Sequence, residues 1–248
     1  MSEGFEPSEA FVHESDSSLP PTGQFEDIPR IEHDFNHFDA LDKLSSVRYF
    51  SYLQQRISDP QRYMDKGGAG TVFNINDTVC IKMMEDRYLL EELRAREEGR
   101  APHQLNLGNR PVVEARIQER VADLAVAGVR APHIAQYIPG KIWHGIVMER
   151  LNAVNIQHCL NGTANFPEGF QYGTFMDSLG AYLEEMHSKK HIYHGDLEPR
   201  NVMADIETGA PYLIDFGRSG TLHDTGRSRL TEGDWKKYDS LYEKLERA

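Results

Sequence analysis

Cysteine is scarce in this chain. Cys80 and Cys159 are too few for a disulfide framework, which fits a reducing compartment. No run of about eighteen apolar residues occurs, so no membrane span is expected. The opening Met1-Ser2-Glu3-Gly4-Phe5-Glu6 has neither the basic flank nor the apolar stretch of a secretory signal. Positive charge is also short. The 27 Lys and Arg stand against 39 Asp and Glu, a formal net charge of −12, and direct binding of nucleic acid is not expected. A cytoplasmic setting follows, although an effector exported without a standard signal peptide is compatible with the same features. With 39% hydrophobic residues, 248 residues can bury one core or two small lobes.

The charge is unevenly spread. Residues 1–34 hold nine acids (Glu3, Glu6, Glu9, Glu14, Asp16, Glu26, Asp27, Glu32, Asp34) and one base, Arg30, which is −8 of the −12. Too little apolar surface is present there to offset ordering entropy, and a disordered acidic tail is expected. Phe38, Leu41, Leu44, Val47, Phe50 and Leu53 then recur near helical spacing until Asp59-Pro60. This predicts a helical extension over 35–59.

Further along, Gly67, Gly68 and Gly70 precede an apolar strand from Thr78 to Met83, a β-hairpin pattern. Glycines let a backbone close over phosphates, and Lys82 on the returning strand can aim its ammonium at them. The period of two puts Cys80 on the face of Lys82, either lining an adenine pocket or as a buried core thiol. Residues 87–111 begin with the charged run Leu89 to Glu98, which reads as a solvated helix or as a partner or substrate surface. Pro111 can open a helix with Val113, Ile117, Val121, Leu124 and Ala125 on one face and Gly128 near its end. Glu114 or Glu119 on that helix can pair with Lys82.

Trp143 to Leu151 reads as a strand entering a hinge, where Glu149 and Leu151 offer backbone groups to adenine. Asn155 to Leu160 suggests a short helix. Phe175, Leu179, Leu183 and Met186 form the stripe of a long one ending near Lys189-Lys190. His187, His191 and His194 lack companions at metal-ligand spacing and read as residues of a helix C-terminus. Thr231 and Asp234 suit the cap of a last helix bearing Trp235, Tyr238, Leu241, Tyr242 and Leu245.

The most informative stretch is Tyr193-His194-Gly195-Asp196-Leu197-Glu198-Pro199-Arg200-Asn201, followed by Asp215-Phe216-Gly217 after the apolar Tyr212-Leu213-Ile214. Asp196 can reach an acceptor hydroxyl, while Asn201 and Asp215 supply hard oxygen ligands for Mg²⁺ on ATP phosphates. A plain surface turn explains neither the spacing nor the lysine upstream.

Together with Lys82, Glu114-Ala115-Arg116 and Val147-Met148-Glu149, these motifs resemble the protein kinase-like superfamily over about residues 60–248. Within it the chain is similar to small atypical kinases, namely the KEOPS-complex kinase, RIO kinases and lipopolysaccharide kinases. The resemblance implies a two-lobed α+β fold with a small antiparallel-sheet N-lobe (60–148), a hinge (149–153) and a reduced helical C-lobe (154–248). It also implies that Gly67, Gly68 and Gly70 cover the phosphates and Lys82 binds them. Val72 and Met203 would sandwich adenine, with Met148 at the back, and His194 would brace the loop of Asp196.

Three departures stand out. Gly195 replaces the Arg of many regulated kinases, no Ala-Pro-Glu follows Gly217, and Glu198 stands where many serine/threonine kinases place a Lys. Arg200 can supply the missing cation to the γ-phosphate. The implied function is an ATP–Mg²⁺-dependent serine/threonine protein kinase acting on a protein substrate. The alternatives are a small-molecule or sugar kinase, and a nucleotide-binding or ATPase subunit of a complex. In the latter the acidic tail and residues 87–111 would be partner surfaces.

Overall fold

The computed structural model describes residues 61, 63–67, 70–103, 110–124, 126, 128–140, 142–222 and 227–248. The expected tail over 1–34, the helical extension over 35–59 and Gly68 lie outside these residues.

Alternating apolar residues build the first half. Strands β1 (Tyr63–Gly67), β2 (Gly70–Asn74), β3 (Val79–Glu85), β4 (Ile134–Ile138) and β5 (Trp143–Glu149) form one antiparallel sheet in the order β1-β2-β3-β5-β4. The β2–β3 turn is held by the Asn76 side chain, whose Oδ1 accepts from the amides of Thr78 (2.9 Å) and Val79 (2.8 Å). Gly70 is demanded by the sheet itself, since a Cβ there would sit 2.5 Å from the Met83 carbonyl oxygen. Period two divides β3 between two small cores. Ile81 joins Ile75, Ile138 and Val147, whereas Met84 joins Ala115, Ile134 and Ile146.

Two helices lie between β3 and β4 in sequence. Helix α1 (Arg87–Glu97) is capped by Asp86, which accepts from the Leu89 amide and is gripped by Arg110. The reading of α1 as a solvated helix holds for most of its length, with two exceptions. Its Ala95 is buried, and Glu91 folds inward to Arg100 (2.6 Å) and the His103 amide (2.8 Å). Helix α2 (Pro111–Ala122) starts on Pro111 as expected. It stops well before Gly128, which instead takes a left-handed conformation in the following loop.

The second half is organised on α4 (Tyr172–Ser188), preceded by the short α3 (Ile156–Leu160) capped by Asn155. Phe175, Met176, Leu179, Tyr182, Leu183 and Met186 form its buried stripe, and the Tyr182 hydroxyl donates to the Val121 carbonyl at the end of α2. Strands β6 (Ala153–Asn155), β8 (Val202–Asp205) and β9 (Pro211–Leu213) make a small sheet with β8 central. A two-stranded ribbon joins β7 (Ile192–Tyr193) to β10 (Gly220–Thr221). The last helix, α5 (Arg227–Glu246), packs on α4. The architecture is therefore α+β, an antiparallel sheet followed by a mainly helical half.

The expected cap of α5 needs correction. The helix begins at Arg227, so Thr231 and Asp234 lie within it. Seven residues into the helix, Asp234 cannot cap it, and its carboxylate instead accepts from backbone amides of another segment, described next.

Candidate active site

The sheet and α2 converge on one ammonium group. Lys82 on β3 donates from Nζ to Glu114 Oε1 (2.6 Å) on α2 and to Asp215 Oδ1 (2.9 Å) just after β9. Lys82 and Glu114 are buried, and Asp215 is partly exposed. Burial alone disfavours the Lys82 ammonium, but Glu114 and Asp215 outweigh it and hold the group above the ordinary lysine range. Burial also opposes charge on Asp215, yet Lys82 keeps its carboxyl below the usual value. Of the two glutamates weighed for Lys82, Glu114 makes the contact. Glu119 carries no ion pair among the described residues.

The cluster sets one ammonium against two carboxyl groups; burial pushes the Glu114 carboxyl above its usual value, and among the described residues its Oε2 has no hydrogen-bond partner. Asn201 lies close by, its carbonyl oxygen accepting from the Ile214 amide (3.0 Å) one residue before Asp215. Its side-chain nitrogen is spent on the Asp196 carbonyl (2.7 Å) and Asp196 Oδ2 (3.1 Å), which leaves the amide oxygen as the group for a metal. Asn201 and Asp215 thus fit a hard divalent cation by donor type. Among the described residues, no group of three or more His, Cys, Asp or Glu is arranged to hold a metal.

Asp196 sits on the loop between β7 and the 3₁₀ turn Pro199–Asn201. Cations ring its carboxylate: Arg200 Nη2 lies 3.0 Å from Oδ2, while Lys237 Nζ and Arg218 Nη1 lie 3.3 and 3.8 Å from Oδ1. Burial raises the cost of charge here, but hydrogen bonds from Arg200 and Lys237 prevail and pull Asp196 below the usual carboxylate range. His194 is fully buried and held below the ordinary histidine value by that burial. Its Nδ1 accepts from the Asp196 amide (3.3 Å), so Nε2 carries the proton and donates to the Ile214 carbonyl (3.1 Å). This neutral ring ties the Asp196 loop to the strand leading into Asp215.

Part of the chain is similar to a kinase. Over 93 residues it is 29% identical to Mitogen-activated protein kinase kinase 3 of Arabidopsis thaliana, covering 38% of this chain and 18% of that protein. The crystal structure of monomeric WbdD superposes with a TM-score of 0.44 at 21% identity, over 70% of this chain and 37% of that one. The chain therefore spans less than a fifth of the curated relative and little over a third of the solved protein. No family model matches it.

Residues expected around adenine fall on the interior strands β2, β3 and β5, on the connection after β5 and on β8. Val72 pairs with Lys82 across β2 and β3, and Cys80 pairs with Met148 across β3 and β5. Gly67 and Gly70 close the β1–β2 hairpin. Cys80 is buried, its thiol pushed up to about 12 chiefly by that burial, and it points at the Glu149 carbonyl (3.6 Å). The Glu149 side chain turns away to Arg130 (2.6 Å), and its amide donates to the His133 carbonyl (2.9 Å). Leu151 lies half-buried in the connection from β5 to β6, and Met203 half-buried on β8.

Two residues against the Asp196 loop, both on α5, were not assigned to the site from the sequence. Asp234 is 1% exposed, and its carboxylate accepts from the amides of His194 (2.7 Å) and Gly195 (2.8 Å) and contacts His187 Nε2 (2.9 Å). Lys237 lies 3.0 Å from Glu198 Oε1 as well as near Asp196. The spacing of Asp234 and Lys237 by three, one face of a helix, was the available signal. Gly195 also acquires a reason. Its φ is +77° and a Cβ would lie 2.4 Å from the Arg218 carbonyl oxygen, so no side chain fits.

Proposed function

We propose that the protein is an ATP- and Mg²⁺-dependent phosphotransferase whose acceptor is a serine or threonine hydroxyl of a protein. The observation that carries this reading is the convergence of Lys82, Glu114 and Asp215 on the sheet side with Asp196 and Asn201 on the adjoining loop. Partial similarity to a protein kinase supports the same chemistry. A cytoplasmic setting and a partner contacting residues 1–34 or 87–111 belong to the same proposal.

In this reading Lys82, held rigid by Glu114, binds donor phosphates, and the hairpin of Gly67 and Gly70 covers them. Asn201 and Asp215 would hold Mg²⁺, which supplies charge neutralisation on the phosphate oxygens when bound. Asp196 orients the acceptor hydroxyl. The bond from the γ-phosphorus to the ADP oxygen breaks, a bond to the acceptor oxygen forms, and the hydroxyl proton passes to Asp196. Because its carboxyl is held below the ordinary range, Asp196 is a weak base, and its contribution is mainly orientation. Glu198 would repel a transferring phosphate, but Lys237 neutralises it.

The test incubates the purified chain with γ-labelled ATP and Mg²⁺, with and without protein acceptors. Label is expected in Ser or Thr, with a loss of about a thousandfold or more for Lys82→Ala and Asp215→Asn variants that keep the native circular-dichroism spectrum. Wild-type turnover by either variant overturns the site. Label appearing only in small molecules or free phosphate overturns the protein acceptor.

A further inference from the structure

A cavity of about 680 Å³ is lined by Gly195, the residue before Asp196, and by Arg218 and Lys237, whose cations lie near the Asp196 carboxylate. Asp234 and Arg229 line it as well, together with Tyr88 and Glu92 of α1. That volume lies within the range of small-ligand sites. Four cations line it (Arg110, Arg218, Arg229, Lys237), although the chain as a whole carries −12.

Sorting these charges by partner isolates the unspent ones. Arg110 is engaged with Asp86 at 2.8 Å, and Lys237 is shared between Glu198 and Asp196. Asp234 keeps its charge but is buried, with its oxygens engaged by His187 and two backbone amides. Arg218 is only 3.8 Å from Asp196 and largely exposed. Among the described residues no carboxylate lies within ion-pair range of Arg229. Two acids line the cavity, the buried Asp234 and the exposed Glu92, against four cations. Two guanidinium forks facing a cavity that adjoins the catalytic carboxylate suit a phosphate or carboxylate group.

We propose that this cavity is the acceptor-recognition site and that the acceptor carries an anionic group, phosphate or carboxylate, next to its reacting hydroxyl. The proposal rests on the phosphotransferase reading and adds the substrate class. Helix α1 acquires a role as one wall of the acceptor site, with Glu92 limiting the affinity for anions. Binding the acceptor anion on Arg218 also draws that cation away from Asp196, leaving the carboxylate to the hydroxyl.

The test uses the full chain, ATP, Mg²⁺ and matched acceptors. These are one serine peptide flanked by aspartate, phosphoserine, glutamine or lysine, and glucose 6-phosphate beside glucose. Anionic acceptors are expected to show a KM at least about tenfold below that of their neutral counterparts. Arg229→Ala should raise that KM roughly tenfold while leaving the KM for ATP and acceptor-independent ATP hydrolysis unchanged. Arg229→Lys should recover part of the loss, and Glu92→Gln should lower the KM. The peptide and sugar arms identify which source carries the anion. Equal use of neutral and anionic acceptors, or a KM unmoved by Arg229→Ala, overturns the proposal. Calorimetric titration of the same compounds without ATP separates the two readings. If no acceptor is phosphorylated, anion-selective binding weakened by Arg229→Ala sustains the anion site and removes phosphotransfer. Absence of such binding removes the anion site.

Discussion

Replacing Asp234 with alanine removes, in one step, the acceptor for the His194 and Gly195 amides and the partner of His187. The side chain is 1% exposed, so water does not readily take its place. A hydrogen bond to a charged group contributes about 1.5–3 kcal/mol, and a buried donor left alone costs about 1–3 kcal/mol. Three coupled contacts are not additive, and a loss of about 4 kcal/mol is expected, a large part of the ~5–15 kcal/mol of a typical domain. Urea unfolding monitored by the fluorescence of Trp143 and Trp235 measures it. Asp234→Asn keeps one acceptor oxygen but turns an NH₂ toward a donor, and should lose about half as much.

The pH dependence carries a second readout. Burial works against the charge on Asp234, yet His187 and the two amides keep its carboxyl below the ordinary 3.8. A depressed carboxylate stabilises the fold above its unfolded pKa and loses that contribution as pH falls through the folded value. The gap between wild type and Asp234→Ala should therefore be constant near neutrality and narrow below about pH 4. A variant less than about 1 kcal/mol weaker at pH 7, with an unchanged acid limb, refutes the anchoring role.

Lys237→Ala leaves Asp196 and Glu198 short of a shared cation, and turnover at saturating ATP should fall roughly ten- to a thousandfold. Glu198→Gln in that background should recover part of the rate, whereas a silent Lys237→Ala assigns the neutralising role to Arg200 alone. Gly195→Ala must strain a +77° φ and push against the Arg218 carbonyl, costing at least about 2 kcal/mol, and urea midpoints equal to wild type contradict it. Cys80, with a thiol raised to about 12 by burial, should resist iodoacetamide at pH 8 until the protein is unfolded, and rapid native labelling seen by mass spectrometry refutes its burial.

The sequence by itself determined the parts whose signal is local. Gly70 before Val72, Lys82 on an alternating strand, Pro111 ahead of Glu114, and the run from His194 to Asn201 followed by Asp215 each specify a turn, a strand or a helix start through nearby residues. Those elements are where expected, and the buried stripe of α4 was readable from its period. Tertiary structure decided what depends on contacts between distant segments. Glu114 and Glu119 are both plausible on one helix, and only the rotation of α2 against β3 selects Glu114 for Lys82. Asp234 has the local look of a helix cap. It became a loop anchor because α5 starts seven residues earlier and brings the carboxylate under the amides of His194 and Gly195. Lys237 reaches Glu198 across 39 positions of chain, and no local pattern encodes a pairing made by packing one helix against a distant loop.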